Sequence, residues 1–290
     1  MLKKALLAIC IWNAITGVAI ADWTPGDRMK EATKGLLLQS NKTLTKDSNM
    51  GLMPNFSVFG GFVSEKQGCG ASIPFVKGKK YIIVASGDSY ANDVDIKITN
   101  KNGELVTKDD DASKVAMVTF EAESSASLDI DVSLYSGSKG AFIAMAIFVD
   151  GGYSVPTSNL RKSIDDLILQ CEIANEAAEE EDLAVLFHAI PGQWSVVGGV
   201  VPSGKSISLN DMVYPKGVYS IVAAGDSVIE DLDIKVTERG KPIAEDNKSD
   251  AYPSVYFGVK ATSKYKIEMI NADSNGPSLV VLAQLEVLRK

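Results

Sequence analysis

Residues 81–99, YIIVASGDSYANDVDIKIT, return as residues 219–237, YSIVAAGDSVIEDLDIKVT, with twelve of nineteen positions identical. Tyr81 and Tyr219 stand 138 residues apart, and the same spacing carries FSVFGGFV from Phe56 onto WSVVGGVV from Trp194. After the loss of one residue the spacing becomes 137. It then aligns VTFEAESSASLDIDV at Val118 with YFGVKATSKYKIEMI at Tyr256, and GAFIAMAIF at Gly140 with PSLVVLAQL at Pro277. A repeat of this period that runs through whole elements is the mark of a duplicated fold. Whatever one copy folds into, the other must fold into as well.

Inside each copy the apolar period is 2. Val94, Ile96 and Ile98 share one face while Asp93, Asp95 and Lys97 share the other, and residues 128–132 alternate as strictly. This is the pattern of half-buried antiparallel strands. Turn residues separate the runs: Gly87-Asp88, Asn102-Gly103 and Ser136-Gly137 in the first copy, Gly225-Asp226, Gly240 and Asn275-Gly276 in the second. The spacing predicts about seven or eight short strands per copy, a sandwich or jelly roll.

A helix is expected ahead of each sandwich. Leu160, Ile164, Leu167, Ile168, Cys171 and Ala174 recur at steps of three and four, with Thr157 or Ser158 placed to cap the start and residues 176–182 forming an acidic, solvated tail. Met29, Ala32, Leu36 and Leu37 give the first copy a weaker version, interrupted by Gly35. The fold class is therefore mainly β: two tandem antiparallel β-sandwich, jelly-roll-like units, each preceded by an amphipathic helix. Unit 1 spans residues 22–152, with its helix at about 28–42 and its sandwich at about 54–149. Unit 2 spans residues 153–290, with its helix at about 158–182 and its sandwich at about 184–288.

Residues 1–21 read as a signal peptide. Lys3 and Lys4 precede a mostly apolar stretch, and Ala19-Ile20-Ala21 offers small residues for cleavage after Ala21. Ile9, directly before Cys10, is too bulky for a lipoprotein signal. No later segment is apolar for long enough to span a membrane, so no transmembrane anchor is expected after cleavage, and the expected location is periplasmic or secreted. Cleavage takes the net charge from −8 to −10, which disfavours a nucleic-acid partner. Cys69 and Cys171 remain in a compartment that permits disulfides. They either pair or sit as two separate buried thiols, and the sequence leaves both open.

Residues 81–147 resemble the bacterial pre-peptidase C-terminal domain type of β-sandwich. The resemblance rests on an aromatic strand at Tyr81, Gly87-Asp88, the Asp93-x-Asp95 strand, the Asn102-Gly103 turn and the acidic loop 109–111. Tyr219, Gly225-Asp226, Asp231-x-Asp233, Gly240 and residues 246–250 repeat that order. The resemblance implies a secreted, non-catalytic module, of a type in which some members bind calcium or polymeric ligands. No protease domain accompanies it here.

The recurring aspartates are the candidate metal ligands. Asp93 and Asp95 lie two apart on one strand face, about 6.8 Å between Cα atoms, within reach of Asp88 and the acidic loop. Asp226, Asp231 and Asp233, with Asp246 nearby, form the matching set. Calcium, a hard cation with flexible oxygen coordination, suits such a loop-built site. Against this stands a simpler reading: Asp88 and Asp226 cap turns, and Lys97 and Lys235 neutralise the strand-face carboxylates without metal. Histidine occurs once, at His188, which lowers the expectation of acid–base catalysis. His188 reads as structural, Trp194 and Phe56 as packing residues, and Gly60-Gly61 and Gly198-Gly199 as bulges or close backbone approaches. Ser138 sits in a hairpin without a partner histidine, and no nucleophile is assigned.

The expectation is an exported, non-catalytic binding or structural protein of the cell envelope or extracellular space, calcium-stabilised if the aspartates bind a cation. Its ligand would be a protein or polysaccharide of the envelope, and bivalency would raise avidity. The alternatives are a carboxylate-based metal-dependent hydrolase and an accessory subunit of an exported enzyme.

Overall fold

A computed structural model describes residues 25–44 and 49–290. The leader, its cleavage position and Cys10 lie outside the described residues. Helix α1 is Pro25–Leu44. Nine strands follow: β1 (Met50–Leu52), β2 (Asn55–Val63), β3 (Gly68–Phe75), β4 (Lys80–Gly87), β5 (Ala91–Thr99), β6 (Leu105–Asp109), β7 (Val115–Glu121), β8 (Ala126–Gly137) and β9 (Ala141–Asp150). Helix α2 is Thr157–Glu179. Nine more strands complete the chain: β10 (Leu183–Phe187), β11 (Val196–Val201), β12 (Lys205–Tyr214), β13 (Gly217–Gly225), β14 (Ile229–Glu238), β15 (Lys241–Asp246), β16 (Ser254–Val259), β17 (Ser263–Ser274) and β18 (Ser278–Arg289).

The strands pair antiparallel into four sheets of a mainly β, sandwich-like structure. Two five-stranded sheets run β1-β9-β4-β7, with β2 also on β9, and β10-β18-β13-β16, with β11 also on β18. Two four-stranded sheets run β3-β8-β5-β6 and β12-β17-β14-β15.

Which sheet a strand joins follows from its apolar pattern. β5, β8, β14 and β17 alternate, because one face meets the core and the other meets water. β4, β9, β13 and β18 carry runs of buried residues with almost no break, because both faces of their sheet are covered. On one side Tyr81, Ile83, Ile143 and Ile147 pack against Val94, Ile96, Ile130 and Val132 of the four-stranded sheet. On the other side Ile82, Val84, Ala144 and Phe148 pack against the helices.

The helices lie on that second side and touch one another. α1 opens with Pro25, whose fixed φ suits a first helical position, and places Asp27 in its first turn and Lys42 in its last, both favourable to the helix dipole. It buries Met29, Ala32 and Leu36. Gly35, which interrupts the apolar pattern, lets α1 approach β4 so closely that an added Cβ would overlap the Ser86 hydroxyl. In α2 the buried face is the stripe from Leu160 to Ala178. The expected cap from Thr157 or Ser158 is not made: Pro156 takes the N-cap position, and the Thr157 hydroxyl instead donates to Asn41 Oδ1 of α1 at 2.7 Å.

The two five-stranded sheets meet edge to edge at β2 and β11, joined by a parallel bridge between Pro54 and Val200. The glycine pairs sit there. A Cβ on Gly199 would overlap the Asn55 carbonyl, and one on Gly60 would meet Phe142 Cζ at 2.9 Å and Val196 at 3.4 Å. Phe59 and Trp194 pack across the joint with ring centroids 5.8 Å apart. Both cores are continuous through it. The result has three layers: two helices, a long inner sheet, and two four-stranded sheets side by side on the far face.

This layering corrects one of the two cysteine readings. Cys69 and Cys171 are free and buried. Cys69 belongs to the core between the sheets, its thiol donating to the Gln193 carbonyl at 3.1 Å, whereas Cys171 belongs to the helix layer. The inner sheet separates those two layers, so no bond joins the thiols. Burial pushes the Cys69 thiol up to about 12 and raises that of Cys171 further. Both are inert packing residues.

Candidate functional site

Asp88 follows β4 and is fully buried. Its Oδ1 accepts the Tyr90 N–H at 2.9 Å and its Oδ2 accepts the Phe142 N–H at 2.9 Å. Asp226 does the same after β13, with Val228 N–H at 3.3 Å and Leu279 N–H at 3.2 Å. Both carboxylates are thus committed to tying a turn to the neighbouring strand. They differ in the third donor. Asp226 takes the Ser278 hydroxyl at 2.7 Å, while Asp88 takes Arg28 Nε at 2.6 Å.

Arg28 therefore clasps α1 to the end of the first sandwich. Its Nη2 also donates to the Gly140 carbonyl at 2.6 Å. The guanidinium lies 4.6 Å from the Phe62 ring centroid and 4.3 Å from that of Tyr90, a cation between two aromatic faces. Sequence reasoning did not single out Arg28. Its only signal was negative, since the residue 138 positions later is Asp166.

The strand-face aspartates stand apart from these turns. Asp93 Oδ1 accepts the Ser113 N–H at 3.3 Å. Burial first, and then the charges of Asp93, Asp110 and Asp109, push the Asp95 carboxyl above its ordinary value. Burial first, and then Asp231, Asp246 and Asp250, do the same to Asp233. Each outer sheet face thus carries a matched carboxylate group. Asp109 and Asp246 are also structural, accepting the N–H of Met117 at 2.7 Å and of Ser254 at 3.1 Å. Asp231 Oδ1 is buried and has no hydrogen-bond partner among the described residues. The six aspartates of the candidate set are not brought to one point in either copy. Among the described residues no group of three or more His, Cys, Asp or Glu is placed to hold a metal ion.

His188 is buried in an aromatic cluster. It stacks on Tyr214 at 4.7 Å and 11° and meets Tyr219 edge-on at 4.9 Å. Its Nε2 lies 3.3 Å from the Val213 carbonyl, and its Nδ1 lies 4.0 Å from Glu286. The Tyr214 hydroxyl donates to Gln284, which donates to the Trp194 carbonyl at 3.0 Å. Burial raises the Tyr214 phenol well above its ordinary value. This ring cluster is packing for the second sandwich and offers no open face to a ligand. A cavity between the helices and the joint, lined in part by Met29, Ile164 and Val196, measures about 10 Å³, the size of one water.

What remains open is surface. The outer faces of the four-stranded sheets carry rows such as Gly70, Asp131, Lys97 and Lys108 in the first and Ser208, Glu268, Lys235 and Glu245 in the second. Tyr135 is exposed at one end of the first, and Tyr90 is partly exposed on the β4–β5 connection, its ring against Arg28 of α1. No helix among the described residues is long and apolar enough to cross a membrane.

No protein-family model matches the chain, and no curated protein sequence does. Solved structures do. The pre-peptidase C-terminal domain of a collagenase from Bacillus anthracis is 8% identical, covering 33% of this chain and 90% of that one, with a TM-score of 0.28. PliG, a periplasmic inhibitor of g-type lysozyme from Aeromonas hydrophila, is 11% identical over 32% of this chain and 87% of that one, TM-score 0.26. The tandem CBM22-1-CBM22-2 domains of Xyn10C from Paenibacillus barcinonensis are 8% identical over 84% and 94%, TM-score 0.23. The first is the domain type that residues 81–147 resemble. Likenesses of this size mark no shared activity.

Proposed function

We propose that the chain is an exported, non-catalytic binding protein of the cell envelope or extracellular space, built from two tandem helix-led sandwich units that grip one repeating polymer, a polysaccharide, at two points. One observation carries this reading: both four-stranded sheets pack on the same side of the joined inner sheets, so each copy leaves one outer sheet face to solvent on that side. Two similar faces on one rigid body gain avidity only from a ligand that repeats. The polar, pocket-free character of those faces suits an extended ligand better than a small molecule. Asp88, Asp93 and Asp226 are buried, and Asp95 and Asp233 lie on sheet faces among further carboxylates, which gives a hydrolase no cleft in which to exclude water.

The test compares the affinity of the purified protein for a soluble envelope polysaccharide and for its tetrasaccharide. The polymer should bind about 100-fold more tightly, and Lys97→Glu and Lys235→Glu should each weaken it while leaving the polymer uncut. Equal affinities, or release of new reducing ends, would contradict the reading.

A further inference from the structure

Helix α2 carries its charges in the order that a solitary helix disfavours. Its first turn holds no acidic residue and its last turn no basic one. Arg161 and Lys162 stand near its N-terminus, while Glu176, Glu179 and Glu180 crowd its C-terminus. The helix dipole favours the reverse, by about 0.3–1 kcal/mol for each charge at an end. Arg161 and Lys162 are relieved by Asp165 and Asp166 one turn on, and Glu179 by Lys290. Glu176 and Glu180 form no ion pair among the described residues.

The solvent face of the same helix is apolar at its middle. Leu169 is 50% exposed and Ile173 48%, and residues four apart share a helix face. The buried stripe from Leu160 to Ala178 faces the core, and these two side chains lie outside it. Tyr252, also exposed, extends the patch toward the N-terminal end of α2. Its hydroxyl donates to Asp166 Oδ2 at 3.2 Å, and the Lys162 ammonium lies 6.0 Å from its ring centroid. Lys162, Leu169, Ile173, Glu176 and Glu180 follow at spacings of seven, four, three and four, one face throughout.

That face is complementary to itself when inverted. Leu169 and Ile173 are centred on position 171, and so are Lys162 and Glu180. A second α2 laid antiparallel across the first, centred on the same point, sets each Leu169 against an Ile173 and each Lys162 against a Glu180. Such reciprocal contacts are the mark of a twofold interface. The two dipoles then oppose, and each acidic C-terminus gains the cation its own last turn lacks. Asp166 meets Glu176 in this register, but Lys162 and Tyr252 already hold it. We infer that α2 is the interface of a weak antiparallel homodimer, a second copy of this chain being the partner that covers Leu169 and Ile173. One pair of crossing helices buries less than the roughly 1,200 Å² of a stable interface, so the dimer has a Kd on the order of 10–100 μM. The helices and the four-stranded sheets lie on opposite sides of the inner sheets. The dimer is therefore back to back, with outer sheet faces on both of its sides. On the polymer-binding reading above, on which this consequence alone rests, one dimer ties two polymer strands together.

Sedimentation equilibrium of the chain from Asp22 onward tests the interface without any ligand. Monomer should pass to dimer as concentration rises through about 10–100 μM. Leu169→Glu and Ile173→Glu should each weaken dimerisation about tenfold or more and leave the melting temperature unchanged, since both positions are exposed. Lys162→Glu alone and Glu180→Lys alone should each weaken it about tenfold. The Lys162→Glu/Glu180→Lys double variant should recover most of that loss, because the reversed pair is complementary again. A chain that stays monomeric throughout, a dimer indifferent to Leu169→Glu, or a double variant no better than the single ones would overturn the interface. So would a monomer that binds phosphatidylcholine vesicles through Leu169 and Ile173, which would assign the stripe to lipid. Viscosity of a polysaccharide solution reads the bridging separately: the wild type should raise it and Leu169→Glu should not. A proven dimer that leaves the viscosity unchanged would count against the polymer-binding reading and leave the interface standing.

Discussion

Replacing Arg28 with leucine removes the charge that faces the fully buried carboxylate of Asp88. The variant loses the 2.6 Å bond to Asp88, the 2.6 Å bond to the Gly140 carbonyl, and stacking on Phe62 and Tyr90. Stranding one partner of a buried pair costs about 3–5 kcal/mol. The Arg28 side chain is 22% exposed, so some water reaches the pair, and leucine frees the rotamer entropy that arginine had lost. The expected cost is about 3 kcal/mol, a fall of roughly 6–12 °C in melting temperature for a chain of this size. Much of that loss is the stranded charge, so Asp88→Asn should recover part of it in the double variant. A thermal and urea cycle over the single and double variants reads a coupling of about 2 kcal/mol. A loss below about 1 kcal/mol for Arg28→Leu, or no coupling to Asp88, would refute the claim that the clasp is a buried ion pair. In the second copy Ser278→Ala removes only a hydroxyl donor and should cost about 1 kcal/mol.

Gly199→Ala should destabilise the protein by about 1–3 kcal/mol through overlap with the Asn55 carbonyl, whereas Gly61→Ala, whose nearest neighbour is 3.4 Å away, should cost less than about 1 kcal/mol in the same urea titration. Asp95 and Asp233 hold their protons more tightly when folded than when unfolded. Stability should therefore drop as pH rises from the ordinary carboxylate value through the raised one, and return as pH falls back. Asp95→Asn and Asp233→Asn should flatten that dependence and add a few tenths of a kcal/mol near neutrality, the gain being limited by solvent screening. Calcium tests the cation reading of the same residues: bound there it raises the melting temperature, and identical melts with calcium and with chelator would retire it. Neither Cys69 nor Cys171 should react with a thiol reagent until denaturant is added, and reduction should leave the mass unchanged; fast labelling of the native protein would contradict their burial.

Much of the architecture was legible because alternation is a direct record of one wet and one dry face. The strands around Val94, Ile96 and Ile98, and the stripe from Leu160 to Ala174, face the cores as their spacing says. Less was read from the uninterrupted runs at residues 141–149 and 278–285, whose lack of alternation records a sheet covered on both sides. The glycine pairs announced a close approach, but nothing local says that the approaching backbone comes from the other copy. Arg28 pairs with a residue sixty positions away, and such a partner has no periodic signature. The Thr157 cap failed for a similar reason, since the hydroxyl found a distant acceptor in Asn41.

The reading of two faces on one side of one body can be measured as a distance. Spin labels at Lys108→Cys and Glu245→Cys, exposed positions on the outer edge strands β6 and β15, can be introduced into the chain from Asp22 onward, where the two native thiols are buried. Pulsed dipolar spectroscopy should then give a single narrow distance distribution, the same with and without polymer. A broad or two-peaked distribution would show that the joint at Gly60 and Gly199 flexes, and would contradict a rigid pair of faces.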